Sequence, residues 1–216
     1  MNHSDHLPIN AQIVLALHDH ALASADWPQS SVSQPVTSRD SAGADAGRAI
    51  RAEIEANHRF NGMLWAEEDL ARRREVPDAD IAANKRAIDK FNQSRNDAIE
   101  RIDEHLLAML DAMREGACLA GRLNSETAGS MCDRLSIVSL KIRAMREQTE
   151  RADASEEHRA QCAVRLDRLR SQRADLAQCF DELLADCAAG RAQFRIYRQF
   201  KMYNDPTMNP YLYRKV

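Results

Sequence analysis

Aromatic residues make up only 5% of this 216-residue sequence, and it holds just 7 glycines and 6 prolines. That leaves little material for a turn-rich fold, and the Ala, Leu, Arg, Glu and Asp that dominate make a helical composition. A basic block is also missing. Acids and bases are interspersed around a formal net charge of −3, so composition gives nucleic acid no support as a partner. No apolar run approaches a membrane span. Ile13 to Leu17 is short and runs into His18, Asp19 and His20, a poor secretion signal. The five cysteines, Cys118, Cys132, Cys162, Cys179 and Cys187, form no Cys-x-x-Cys pair. An odd number of cysteines on helical segments fits reduced thiols and a cytoplasmic location. A glycine-rich phosphate loop and a nucleophile elbow are absent too.

What is present is periodicity. Pro8 to Ser24 reads as a first helix, with Ile9, Ile13, Leu17 and Ala21 every four residues. Residues 25–46, crowded with Ser, Pro, Gly and Asp, read as a flexible loop in which Trp27 is the residue to dock. Four long helices follow in the domain 47–216. They run from about Gly47 to Glu75, from Asp78 to Glu115, from a cap at Ser125, and from a cap at Ser155 to a terminating Gly190. Short connections predict an all-α, antiparallel up-down bundle with the N-terminal helix added and the C-terminal tail packed on it.

The predicted inward tracks alternate spacings of three and four, as in coiled coils. They are Ile50, Ile54, Asn57, Asn61, Leu64 and Glu68; then Ile88, Asn92, Arg95, Ile99, Ile102, Leu106, Met109 and Met113. Met131, Leu135, Val138, Ile142 and Met145 form the third, and Cys162, Leu166, Leu169, Arg173, Leu176, Phe180, Leu183 and Cys187 the fourth. Polar residues interrupt three of the four. A hairpin near Pro77 sets Asn61 level with Asn92 and Arg95, and Glu68, Asp69 or Asp89 is the expected partner of Arg95. The turn near Asp153 sets Arg173 level with Asp133, an expected second ion pair. Such layers either fix which helix pairs with which or line a ligand site between helices; one site and two sites both fit.

Metal chemistry finds weak support. Glu55–His58 is half of a di-iron motif whose second copy is missing, and His58 with Glu68 or Asp69 has no specific metal spacing. No metal or cofactor is expected. The C-terminal stretch holds all four tyrosines, Tyr197, Tyr203, Tyr211 and Tyr213, among Arg195, Arg198 and Lys201. It reads either as a tail over the bundle end with half-buried rings or as an aromatic, cationic face for a sugar or protein partner.

The segments "NHRFNGMLWAEED", "IDKFNQSRNDAIERID", "DRLSIVSLKI", "DLAQCFDELLADCAAGR" and "YRQFKMYNDPTMNP", in that order, resemble the bacterial domain of unknown function 4254 over most of the chain after Gly47. The resemblance implies an all-helical fold, no assignable activity, and proteins encoded beside cell-envelope glycosyltransferases. It also implies that His58, Asn61, Trp65, Glu68, Asp69, Asn92, Arg95, Asp133, Arg134, Lys201, Tyr203 and Asn204 belong to family motifs.

The expectation is a cytoplasmic binding or adaptor protein in envelope polysaccharide or lipopolysaccharide assembly, with a glycosyltransferase or a sugar as partner. Arg95 and Arg173 would hold register, while Trp65 and the tyrosines make contacts. The alternative is an enzyme on a sugar nucleotide or glycan precursor. There Glu68 or Asp69 would be general base, His58 acid or proton shuttle, and Arg95 or Lys201 the phosphate ligand. A structural homodimer built through the seams is the third reading.

Overall fold

The computed structural model describes residues 8–28, 44–113 and 121–214, apart from the side chains of Ala44, Asp45 and Tyr203. The described residues are mostly helical: α1 (Ala11–Ala23), α2 (Ala44–Leu70), α3 (Asp78–Met113), α4 (Ala128–Glu150), α5 (Glu156–Ala188) and a short α6 (Pro210–Tyr213). Helix α2 thus takes in the last residues of the predicted 25–46 loop and stops at Leu70, short of Glu75. Two strands of two residues each, β1 (Arg122–Leu123) and β2 (Ala192–Gln193), pair in parallel and depart from a purely helical expectation.

Caps set the helix starts. Asn10 accepts the Ile13 N–H at 2.9 Å, and the α1 N-terminus is further tied to α5 by the Ala11 N–H on Asp181 at 2.7 Å. Thr127, not Ser125, caps α4 by accepting the Ser130 N–H at 3.1 Å. Ser155 caps α5 through the His158 N–H as expected, and Gly190 ends that helix with φ 73°, the left-handed value a glycine adopts without strain.

Heptad-like apolar residues then bury as one interior. Ile50, Ile54, Ile102, Leu106, Leu110, Leu135, Phe180 and Leu184 pack together with Ile9 and Val14 of the N-terminal segment and Phe194 beyond β2. Val138, Ile142 and Leu166 form a second, smaller cluster. On α1 the buried residues are Ala11, Val14 and His18, one step round from the expected Ile13–Leu17 track. Packing on three other helices at once rotates α1 so that a histidine, not a leucine, faces inward.

The β1–β2 pair clasps the entry to α4 against the exit of α5. Arg122 N–H reaches Arg191 O at 2.8 Å and Asn124 N–H reaches Gln193 O at 2.7 Å. Gly121 is required here, because a Cβ would lie 2.2 Å from the Arg191 carbonyl carbon. The chain leaving this clasp crosses α3. Arg198 pairs with Glu100 at 2.9 Å and Glu104 at 2.5 Å, and Asn96 donates to Gln199 at 2.8 Å. The predicted half-buried tyrosines are instead exposed: Tyr197 by 73%, Tyr211 by 89% and Tyr213 by 50%. Between β2 and α6 the chain runs irregularly across α3 with one 3-10 turn, so it forms no apolar helix face that could carry its rings inward.

Truncating the largest wholly buried ring tests the interior. Phe180→Ala is expected to lose about 3–5 kcal/mol of unfolding free energy. In urea titrations the midpoint should fall while the slope stays unchanged.

Candidate functional site

Asp133, on the second turn of α4, gathers side chains from two other helices. Asn57 and Asn61 of α2 each donate an amide N–H to its Oδ1 at 2.9 Å. Arg95 of α3 brings its Nε to 3.6 Å from the same oxygen. Asn57, Asn61 and Asp133 are all buried. The expected polar layer therefore exists, but with different pairing. Arg95 meets Asp133 and not Glu68, Asp69 or Asp89, and Arg173 does not meet Asp133. Arg173 pairs with Asp19 of α1 at 2.7 Å and donates to Ser139 at 3.4 Å. The cause is that α1 docks over α5 and offers a carboxylate there, which loop-counted heights do not foresee.

The layer continues through Ser136, one turn along α4. Its hydroxyl accepts from Asn61 at 2.9 Å, which leaves its own proton free to point at His58 Nδ1, 2.7 Å away. The His58 ring lies between two others. His18 stacks on it with centroids 4.3 Å apart, and Trp27 stacks on it at 4.5 Å. Gly62 makes this possible, since a Cβ there would lie 2.9 Å from the Trp27 ring. Trp27 docks, as its isolated position in a polar loop suggests.

Burial decides the charge of both histidines. It pushes the His58 imidazole from 6.5 down to about 3, partly opposed by a hydrogen bond with the His18 backbone. His18 is held well below its ordinary value by burial first, then by the His58 and Arg173 charges. Among the described residues neither ring nitrogen of His18 has a hydrogen-bond partner. A histidine this reluctant to protonate is a poor proton shuttle at neutral pH, so the expected acid role of His58 finds no physical basis.

A cleft of about 360 Å³ opens beside Arg95 and Asp133. Its walls are α3 (Arg95, Asn96, Glu100, Asp103), the start of α4 (Thr127, Ser130, Arg134) and the C-terminal segment (Arg195, Tyr197, Gln199). Asp103 is buried and accepts the Gly129 N–H at 2.6 Å; a Cβ on Gly129 would lie 2.8 Å from the Asp103 carboxyl carbon. Burial raises its carboxyl from 3.8 to about 6, against hydrogen bonds from Thr127 and Gly129 and with help from the Glu100 charge. A second cleft of about 190 Å³ lies between Trp27 and Trp65, beside Gly62 and Arg143. A larger groove of about 720 Å³ runs between α4 and α5 past Val164 and Leu176, but none of its polar lining residues is buried.

The remaining expected residues scatter. Glu68 forms a surface pair with Arg72 at 2.9 Å, and Asp69 is exposed. Both sit past the point where α2 leaves the interior, so neither can serve as base in the layer. Asn92 is half-buried on α3. Arg134 is exposed and bonded to both Glu126 oxygens at 2.9 and 2.7 Å. Lys201 precedes and Asn204 ends a 3-10 turn over Met202–Asn204 outside the cleft, and the Tyr203 side chain falls outside the described residues. Sequence reading missed Asp103, Asn96, Ser136 and His18. Only the small residues in "TAGSMCD" hinted at a close approach to the α4 start. Among the described residues no group of three His, Cys, Asp or Glu side chains is placed to hold a metal ion, and Cys132, Cys162 and Cys179 are free thiols.

A family model described as "Protein of unknown function (DUF4254)" matches residues 51–196, more than half of the chain. No curated protein and no solved structure showed a match.

Removing the shared acceptor should be costly. Asp133→Ala leaves Asn57, Asn61 and Arg95 without it and is expected to lose about 3–5 kcal/mol in urea unfolding. Glu68→Gln and Asp69→Asn should stay within about 0.5 kcal/mol of the parent.

Acid should destabilise through the histidines. Both have folded values below the ordinary 6.5, so their contribution is complete above pH 6.5 and drains as pH falls, toward about 3 for His58. Asp103 works the other way: its stabilising share is present below 3.8 and is lost as pH rises through about 6. Urea midpoints measured from pH 7 down to 4 should fall. The fall should steepen in Asp103→Asn and flatten in His18→Phe, which keeps a ring on His58 without a basic nitrogen.

Proposed function

The chain belongs to the DUF4254 family, and from that premise we propose that it is a binding protein for a sugar-containing precursor, acting as an adaptor in cell-envelope polysaccharide assembly. The observation that carries this reading is the cleft beside Asp133. It combines hydroxyls (Thr127, Ser130), amides (Asn96, Gln199), paired charges and the exposed ring of Tyr197 around about 360 Å³. Polyhydroxylated ligands are held by just such alternating donors and acceptors plus one flat apolar face. The envelope context comes from what resemblance to the family implies, and a glycosyltransferase is the partner it suggests.

This reading takes the four long helices as an antiparallel up-down bundle. Support comes from the order of cross-helix contacts: Asn84 meets Glu67 whereas the later Arg101 meets the earlier Glu53.

A second reading, an enzyme on a glycan precursor, draws on one observation. Asp103 and Asp133 share the cleft, and burial holds Asp103 at about 6, a fitting value for a general acid. It replaces the assignment to His58, Glu68 and Asp69.

Titration calorimetry with a panel of monosaccharides tests the binding function. Saturable binding is expected, weakened about tenfold by Tyr197→Ala through loss of ring contact, with the thermal midpoint unchanged. Absence of binding across the panel would refute it. Under the enzyme reading, Asp103→Asn would abolish turnover of a glycoside and spare its binding.

A further inference from the structure

Hydrogen-bonding capacity is spent unevenly around the cleft. Both glutamates are taken through each of their oxygens, and both aspartates accept on Oδ1. Glu126 receives two bonds from Arg134, and Glu100 receives Arg198 at 2.9 Å and the Gln199 N–H at 3.2 Å. Asp103 accepts from Gly129, and Asp133 carries two amides and Arg95. Two cations are not. Among the described residues the one polar contact of Arg95 is the 3.6 Å approach to Asp133, and its buried Nε has no hydrogen-bond partner. Arg195, across the cleft on the C-terminal segment, makes no ion pair or side-chain hydrogen bond among the described residues. Asn96, which lines the same cleft, carries a buried acceptor in want of a donor: it is 7% exposed, its amide nitrogen is engaged by Gln199, and its Oδ1 has no partner among the described residues.

An unmet buried acceptor costs on the order of 1–3 kcal/mol, so Asn96 Oδ1 calls for a hydroxyl. Guanidinium groups with spare N–H donors favour planar or tetrahedral oxyanions. Tyr197, 73% exposed, lines the same cleft and offers a ring face. A neutral sugar would meet the acceptor and the ring and leave the arginines unused. A bare anion would do the reverse.

We propose, resting on the sugar-binding reading above, that the ligand is a sugar bearing an anionic group. Arg95 and Arg195 grip the anion, Asn96 Oδ1 accepts a ring hydroxyl, and Tyr197 covers the ring. Phosphate and uronate carboxylate are the two sources of that anion. The Arg95–Asp133 contact is long enough to loosen further when the guanidinium turns to the ligand, while Asp133 keeps its two asparagine donors.

The test is calorimetry on the whole chain at low salt with four probes: glucose, glucose 1-phosphate, glucuronic acid and inorganic phosphate. At least one anionic sugar is expected to bind tenfold or more tightly than glucose, and glucose 1-phosphate more tightly than inorganic phosphate. A tenfold preference for glucose 1-phosphate over glucuronic acid assigns a phosphate; near-equal binding assigns either oxyanion. Arg195→Gln should erase the preference, leave glucose binding in place and leave the thermal midpoint where it was. Equal affinity for glucose and both anionic sugars overturns the proposal and leaves the sugar-binding reading standing. Inorganic phosphate matching glucose 1-phosphate removes the sugar from it. No binding by any sugar overturns both.

Discussion

A carboxylate inside a helical interior requires hydrogen-bond donors around it, and Asp133 draws its donors from helices other than its own. Asn57 and Asn61 reach it from α2, and Arg95 reaches it from α3. Each contact is short-ranged and directional, so α2, α3 and α4 can meet at only one height and rotation that satisfies all of them. Apolar seams alone tolerate sliding by a turn. The same apolar residues would remain buried, but the carboxylate would lose its partners, and that loss outweighs any single leucine contact. The polar cluster therefore selects an arrangement more than it adds stability, since a well-packed apolar substitute of equal volume would hold the helices as firmly.

From Asp133 the polar groups run in two directions. One leads outward, through Arg95, to the cleft walled by α3 and the C-terminal segment. The other leads inward, through Asn61 and Ser136, to His58 and its stack with His18 and Trp27. The stack seals the inner end with the N-terminal segment: α1 supplies His18, and the turn after it supplies Trp27. Arg173 and Asp19 tie α1 to α5 beside it. The open end is lined by spare donors and has one buried, unmet acceptor in its wall, whereas the closed end holds two neutral imidazoles shielded from water. Chemistry with a ligand belongs at the open end for that reason.

Much of the helical layout is legible in the residue pattern. The tracks of α4 and of the apolar part of α5 bury as their spacing predicts, and Ser155 and Gly190 bound α5. Asn57, Asn61 and Arg95 stand out because polar residues at inward positions break an otherwise apolar period. Asp103 did not, because it sits in a charged run, "ERIDEH", that reads as a solvated face. Ser136 left no signal, being small enough to pass in an apolar track. His18 was misplaced because α1 is turned by its neighbours. Asn96 lies one position past the expected track, a rotation of about 100° on a helix, yet the C-terminal segment crossing α3 buries that neighbouring face.

Local pattern by itself determined that the chain is helical, where α3 and α5 start and where α5 stops, and that its interior contains polar side chains. Those properties depend on spacing, caps and composition within a few turns. Only the tertiary structure decided that Asp133 serves Arg95 and not Arg173, that Glu68 and Asp69 lie outside the polar layer, and that Tyr197, Tyr211 and Tyr213 stay exposed. Partner choice depends on the height and rotation of each helix against the others. A difference of one turn, about 5.4 Å, changes every partner while leaving the sequence period of each helix untouched.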